Sequence, residues 1–169
     1  MDAQIRTVSG DVASLSAERL AALDTDLRGE LLFPDSEGYD AARTLWNAMI
    51  DRRPSLIARC AGTADVVRSV RFSAERDLLV AVRGAGHNIA GNAVCEGGFL
   101  IDLSKLRSVH VDPKRKIARV QPGATLHDLD VETQLYGLAT PVGINSTTGI
   151  AGLTLGGGFG WLSRKHGLT

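Results

Sequence analysis

Apolar residues in this chain come in short bursts rather than in long helical stripes. The run Leu56-Ile57-Ala58-Arg59-Cys60 after Pro54 predicts a strand, Leu78 to Val82 a second and buried one, and Gly97 to Leu103 (GGFLIDL) a third. Between the first two stands ADVVRSVRFSAER, whose Val66, Val67, Val70 and Phe72 approximate a helical stripe, with Thr63 placed to cap it. Strand, helix, strand over this distance predicts a βαβ unit, two parallel strands joined by a crossover helix. Further along, RSVHVDPKRKIARVQPG predicts a hairpin turning at Asp112 to Lys114. Leu126 to Tyr136 then predicts a helix capped by Thr125 and stopped by Gly137.

Ahead of this, residues 1–52 read as a peripheral helical lead-in. Ser14 or Ser16 caps a short helix through Leu27, FPDSEGYD with Pro34 and Gly38 is irregular, and Ala41 to Ile50 adds a second helical segment. The compact domain then covers residues 53–169. A parallel unit followed by a hairpin predicts an α+β fold rather than a doubly wound sheet.

At 169 residues the chain is long enough to bury a core. Its 44% hydrophobic and 22% charged content is that of ordinary globular proteins, with no low-complexity linker and no fixed-period repeat. Lys plus Arg and Asp plus Glu both number 19, so no net field attracts nucleic acid or an anionic membrane. The opening MDAQIRTVSGDVASLSAERLAAL has neither the basic start nor the apolar run of a secretory signal, and no later run is long enough to span a bilayer. Cys60 and Cys95 have no CxxC spacing, which favours a reduced, cytoplasmic setting and leaves a single disulfide open.

The 19 glycines change the picture by where they fall. Arg83-Gly84-Ala85-Gly86-His87-Asn88 follows directly on the strand at Leu78 to Val82. Glycines there permit positive φ, inward-turned N–H groups and close approach of a phosphate. A tight turn would use the same residues. Ile89 occupies the third glycine position of a dinucleotide fingerprint and the Lys-Ser/Thr pair of a P-loop is absent, so neither common phosphate motif applies. A second segment, Gly149 to Trp161, sets six glycines among apolar residues, the composition of a close backbone crossing or of a wall against a planar cofactor.

In their order, RGAGHN, GGFLIDLSKL, VQPGATLHDL, TPVGINSTTGIAG and LTLGGGFGWLSRKHGLT resemble the FAD-binding (PCMH-type) domain of the vanillyl-alcohol oxidase family, in its berberine-bridge-enzyme-like branch. The resemblance runs from about Arg53 to Thr169. It implies a small βαβ subdomain plus a mixed or antiparallel sheet subdomain with flanking helices. It also implies a chain truncated after Thr169, since members of the family continue into a substrate domain.

The resemblance assigns Arg83, Gly84, Ala85, Gly86, Asn88 and Gly91 to a loop wrapping the FAD pyrophosphate through backbone amides. It assigns His87 to the histidine that bonds the flavin 8α carbon in many members. Gln121, Pro122, Gly123 and Ala124 match a segment lying along the cofactor. Gly143, Ser146, Thr147, Gly149, Ile150 and Gly152 match one that passes beside the flavin and pyrophosphate, and Gly156, Gly157, Gly158 and Trp161 match the strip that closes on the ring system. Histidine suits the anchor, because a neutral imidazole carries a free nucleophilic nitrogen near neutral pH. The alternative for His87 is a hydrogen bond to a phosphate or a carbonyl. Asn145 stands where some members carry a second, cysteinyl tether, so the resemblance implies at most one covalent link.

The implied function is two-electron oxidation of a small organic substrate by hydride transfer to flavin, with oxygen or another acceptor taking the electrons. The alternative is an incompetent FAD- or nucleotide-binding fragment with non-covalent or no flavin. The implied partners are thus the substrate and the acceptor, with no nucleic acid, no membrane and no metal.

Overall fold

The computed structural model describes residues 2–169, in two compact units that divide between Lys105 and Leu106.

The first unit holds strands β1 (Ala3–Arg6), β2 (Val12–Leu15), β3 (Glu30–Leu32), β4 (Leu56–Arg59), β5 (Val80–Arg83) and β6 (Phe99–Asp102). Its helices are α1 (Ala17–Asp26), α2 (Tyr39–Arg43) and α3 (Thr63–Ala74). The main sheet has the order β3-β4-β6-β5, with β4 and β5 both parallel to β6 and β3 antiparallel at one edge. The predicted βαβ unit therefore exists as β4-α3-β5, but β6 is inserted between its two strands. β6 is the one of the three buried at every position, and the central place, covered on both faces, is where Phe99, Leu100 and Ile101 lose most surface to water.

Register sorts the side chains by face. Leu32, Ile57, Leu100 and Ala81 are successive partners across the sheet and pack with Tyr39, Ala42 and Leu45 into one core. Leu56, Phe99 and Ile101 point to the opposite face, where α3 packs on β6 and α1 packs on α3 and β3. Each large side chain buried here contributes about 1.5–3 kcal/mol.

The sequence reading needs five corrections in this unit. The lead-in is not simply helical: β1 and β2 form an antiparallel hairpin and β3 joins the main sheet, each too short for a legible alternation. The helix from Ser16 is present, its hydroxyl accepting from Arg19 N–H, but Ala41 to Ile50 is helical only to Arg43. Beyond Arg43 the carbonyls of Ala42 and Thr44 accept from the Arg83 guanidinium, and the chain turns out of the helix.

The third correction is that Thr63 opens α3 as a helical residue, with Gly62 at the cap position. The fourth is that Val67 and Val70 are exposed while Asp65, Ser69, Phe72 and Ser73 face inward. Asp65 explains both. Its fully buried carboxylate accepts the backbone N–H groups of Arg28, Gly29 and Ala61 at 3.0, 3.1 and 2.8 Å, tying the start of α3 to the turn after α1. That demand sets the helix rotation. The strand at Leu78 to Val82 is also only one-sidedly buried: β5 lies at the sheet edge and leaves Val82 exposed.

The second unit holds the hairpin β7 (Val109–Asp112) and β8 (Ile117–Val120), then α4 (Leu126–Gln134), α5 (Ile150–Leu155) and α6 (Ser163–His166). The hairpin turns as expected, with Asp112 Oδ1 accepting from Arg115 N–H. Thr125 caps α4 in a reciprocal box: its hydroxyl accepts from Asp128 N–H while its own N–H donates to Asp128 Oδ2 at 2.7 Å. The helix ends two residues before Tyr136, and Gly137 follows in the left-handed conformation at φ 64°. A small core of Ala124, Leu126, Leu129 and Ile150 sits beneath α4 and α5.

Candidate functional site

The candidate residues fall in both units, and each set has its own construction.

In the first unit the loop starts where β5 ends. The Arg83 backbone belongs to β5, and its guanidinium turns into the core, meeting the buried Asp102 carboxylate at 3.2 and 3.3 Å and donating to the Ala42 and Thr44 carbonyls. Asp102 also accepts from the Ser104 N–H and hydroxyl, both at 3.0 Å. The charge of Arg83 is thus spent on holding β5 to β6 at the root of the loop; only its backbone is left for the role inferred from sequence.

Beyond Arg83 the loop is held by its carbonyls. Trp46 N–H donates to Gly86 O at 3.2 Å, Asn47 Nδ2 to Ile89 O at 3.0 Å, and Arg52 Nη1 to Gly91 O at 2.9 Å and Val94 O at 3.1 Å. Gly86 and Gly91 adopt φ of 75° and 76°, and a Cβ on Gly91 would fall 2.8 Å from the Ile50 side chain. These two glycines are required by conformation and, at Gly91, by contact.

The amides of the same loop are left free. Among the described residues, the N–H groups of Ala85, Gly86, His87, Asn88, Ile89 and Ala90 donate to no protein acceptor, and the next two close a local turn on Asn88 through Gly91 N–H and Asn92 N–H. A loop anchored through three of its carbonyls with its amides unoccupied suits an anion such as a pyrophosphate. His87 is the half-buried member of four histidines; His110, His127 and His166 are exposed. Its imidazole stacks on the indole of Trp46, with centroids 5.6 Å apart and planes inclined by 22°.

In the second unit the sequence-predicted segments are brought together as a joined pair of strands of chain. Leu126 N–H donates to Thr148 O, His127 N–H to Ser146 O, and Ile150 N–H to Ala124 O, at 2.9 to 3.0 Å, while Thr125 and Gly149 form a β-bridge. Gln121 and Gly123 are fixed to Ser108 and Leu106, with Pro122 half-buried between them. Asn145 closes the turn before Thr147, its Oδ1 accepting from Thr147 N–H at 3.1 Å and hydroxyl at 2.9 Å. No thiol stands there, and the amide serves as a turn former.

The glycines of this unit divide into two kinds. A Cβ on Gly143 would lie 2.5 Å and one on Gly158 2.4 Å from Leu153, and one on Gly160 would lie 1.8 Å from the Val142 carbonyl oxygen, so these three serve the packing of the chain on itself. Gly152 meets nothing within 4 Å. Gly156 closes the end of α5, and Gly157 follows at φ 78°. Trp161 is 84% exposed and, with Leu155, Phe159 and Leu168, leaves an apolar rim in the open. An apolar groove of about 640 Å³ lies elsewhere on the unit, between β7, β8, α4 and α5, and of the candidate residues touches only Ile150.

Sequence reasoning missed Trp46, Asn47, Ile50 and Arg52, which support the loop from a segment read as helical. Their only signal is a large aromatic next to an amide in a stretch without periodicity. Cys60 and Cys95 are free and buried, and no group of three or more potential metal ligands occurs among the described residues. Nor is any helix among them long and apolar enough to cross a membrane.

A parallel-strand loop with unpartnered amides, preceding a unit of glycine-rich crossings, is the architecture of a nucleotide-cofactor domain. Residues 54–169 match the family described as FAD binding domain, and the chain belongs to that family, in its vanillyl-alcohol oxidase and berberine-bridge-enzyme-like group.

It is similar to (R)-6-hydroxynicotine oxidase of Paenarthrobacter nicotinovorans, 40% identical over 147 residues that make up 87% of this chain and 32% of that protein. Glucooligosaccharide oxidase of Sarocladium strictum is 31% identical over 153 residues, 89% of this chain and 30% of that protein. Among solved structures, 6-hydroxy-D-nicotine oxidase from Arthrobacter nicotinovorans superposes with a TM-score of 0.83 at 38% identity, covering 91% of this chain and 33% of that one. The berberine-bridge-enzyme-like protein 1 of Physcomitrella patens superposes with a TM-score of 0.79 at 28% identity over 88% of this chain and 33% of its own. The chain spans about a third of the length of the relatives it matches.

Proposed function

We propose that this chain is the FAD-binding portion of a flavin-dependent oxidoreductase acting on a small organic substrate, with His87 as the single covalent anchor of the cofactor. The observation that carries the reading is the loop after β5, where residues 46–52 take the carbonyls of Gly86, Ile89 and Gly91 while, among the described residues, six consecutive amides from Ala85 to Ala90 have no protein acceptor. Backbone donors without acceptors, on a loop pinned from its other side, are what a pyrophosphate needs.

The cofactor-binding residues in this reading are Arg83 through its backbone, Gly84, Ala85, Gly86, His87, Asn88 and Gly91, together with Gln121–Ala124, Gly143, Ser146, Thr147, Gly149, Ile150, Gly152, Gly156–Gly158 and Trp161. When bound, FAD supplies two-electron chemistry, accepting a hydride from the substrate and passing the electrons to oxygen or another acceptor. The chain's own part is to bind, orient and tether.

His87 would hold the cofactor covalently through an imidazole nitrogen, at the 8α carbon of the flavin. Asn145 has no nucleophilic sulfur and is engaged with Thr147, which supports one link rather than two. The relatives named as oxidases and FAD-linked oxidoreductases support the redox class.

The test is acid precipitation of the protein prepared with FAD. Yellow, fluorescent pellets from the wild type and colourless ones from His87→Ala are expected. Flavin released wholly to the supernatant by the wild type contradicts the tether, and absence of flavin from both fractions contradicts the FAD site.

A further inference from the structure

The stack of Trp46 on His87 has no explanation in the stability of the fold. The indole is 64% exposed, so its placement gains little from burial, yet the ring lies 5.6 Å from the imidazole centroid and within 22° of parallel. The backbone on either side is locked to the histidine's own loop. Trp46 N–H holds Gly86 O, directly before His87, and Asn47 Nδ2 holds Ile89 O, two residues after it. The side chain of Ile50 fills the space under Gly91, and Arg52 binds the Gly91 carbonyl. Residues 46–52 therefore fix the loop before and after His87, and the indole supplies a flat surface for the imidazole between those points.

An imidazole on such a loop would otherwise rotate about χ1 and χ2. Its χ2 well is broad, and an offset-stacked aromatic contact narrows it towards one plane.

We infer that Trp46 is a positioning residue for His87, holding the plane of the imidazole that would bond the flavin. The inference rests on the reading of His87 as the anchor. Bond formation between a nucleophile and a fixed electrophile is sensitive to orientation, and the orientation contributed by one aromatic pair corresponds to roughly a threefold to tenfold change in rate. The role needs only an aromatic face, so phenylalanine should serve in place of tryptophan.

Two readouts test it on apoprotein and after adding FAD. The first is the position of the His87 imidazole C–H resonances in the apoprotein, assigned by their loss in His87→Gln. Ring current from the indole displaces them upfield in the wild type, phenylalanine in Trp46→Phe keeps part of the displacement, and in Trp46→Ala they move to the position of an exposed histidine. The second is the rate at which added FAD becomes acid-stable. It falls roughly threefold to tenfold in Trp46→Ala and returns towards the wild-type rate in Trp46→Phe. A Trp46→Ala protein that loses the ring-current shift but tethers flavin at the wild-type rate overturns the inference, as does a wild type without the shift. If the shift follows the pattern above and the wild type forms no acid-stable flavin, the orienting contact stands and the anchor reading falls, so the two failures are told apart.

Discussion

The carboxylate of Asp102 and the guanidinium of Arg83 meet in the core, at 3.2 and 3.3 Å, between the C-terminal ends of two parallel strands and directly under the glycine loop. The pair closes the sheet where the loop departs, and the same guanidinium reaches the Ala42 and Thr44 carbonyls that lead to the supporting segment. Asp102→Ala leaves a buried cation without its partner and is expected to cost about 3–5 kcal/mol. Arg83→Lys, which lacks the planar fork, should fall short of the wild type as well. Urea unfolding with an unchanged slope checks both.

Asp65 gives the fold a defined acid sensitivity. Burial pushes its carboxyl up, but the backbone N–H groups of Arg28, Ala61, Gly29 and Gly62 outweigh this and leave it below the ordinary aspartate value. A carboxyl held lower in the folded than in the unfolded chain stabilises above its unfolded value, and that contribution is lost as the pH falls through the lowered folded value. Asp65→Asn is expected to cost about 2 kcal/mol at neutral pH. The gap between the two melting curves should then narrow below about pH 4. A gap independent of pH would contradict the assignment.

The two thiols should be inert in the native protein. Burial raises Cys60 and Cys95 to about 11 each, so the thiolate population near pH 8 is small and access is blocked. A disulfide-exchange reagent should react slowly with the folded chain and titrate both cysteines after denaturation.

Gly152 and Gly160 separate the two uses of glycine. Gly160→Ala would drive a Cβ to within 1.8 Å of the Val142 carbonyl oxygen and is expected to destabilise by about 2–3 kcal/mol. Gly152 lies inside α5 with open space around it, so Gly152→Ala is expected to stabilise the chain by about 0.5–1 kcal/mol. If Gly152 is small for the cofactor's sake, that same variant binds FAD more weakly while melting higher. Unchanged FAD affinity would remove it from the site.

Where the sequence was legible, local chemistry and tertiary need agreed. Ser16 and Thr125 cap the helices they precede, the hairpin turns after Asp112, and the run Phe99–Asp102 is a buried strand. Where it was not, a long-range contact set the outcome. The valines of α3 suggested one face, but the buried Asp65 needed backbone donors from distant turns and rotated the helix to reach them. Residues 44–50 carried helix-compatible side chains, but Trp46, Asn47 and Ile50 engage a loop some forty positions later, which no local pattern announces. The βαβ pattern was visible, though not that β6 would be inserted between its strands. The motifs RGAGHN and GINSTTGIAG pointed to the family; which of their glycines serve the chain itself and which stand open needed the packing around Leu153.

The proposed bond between His87 and flavin can be read from the mass of a single peptide. The protein prepared with FAD is denatured and digested, and the peptide carrying His87 is weighed. The expected peptide is heavier by one FAD less two hydrogens, with fragmentation placing the addition on His87 and no other peptide labelled. An unmodified His87 peptide with all flavin recovered free, or a flavin carried by a different residue, would contradict it.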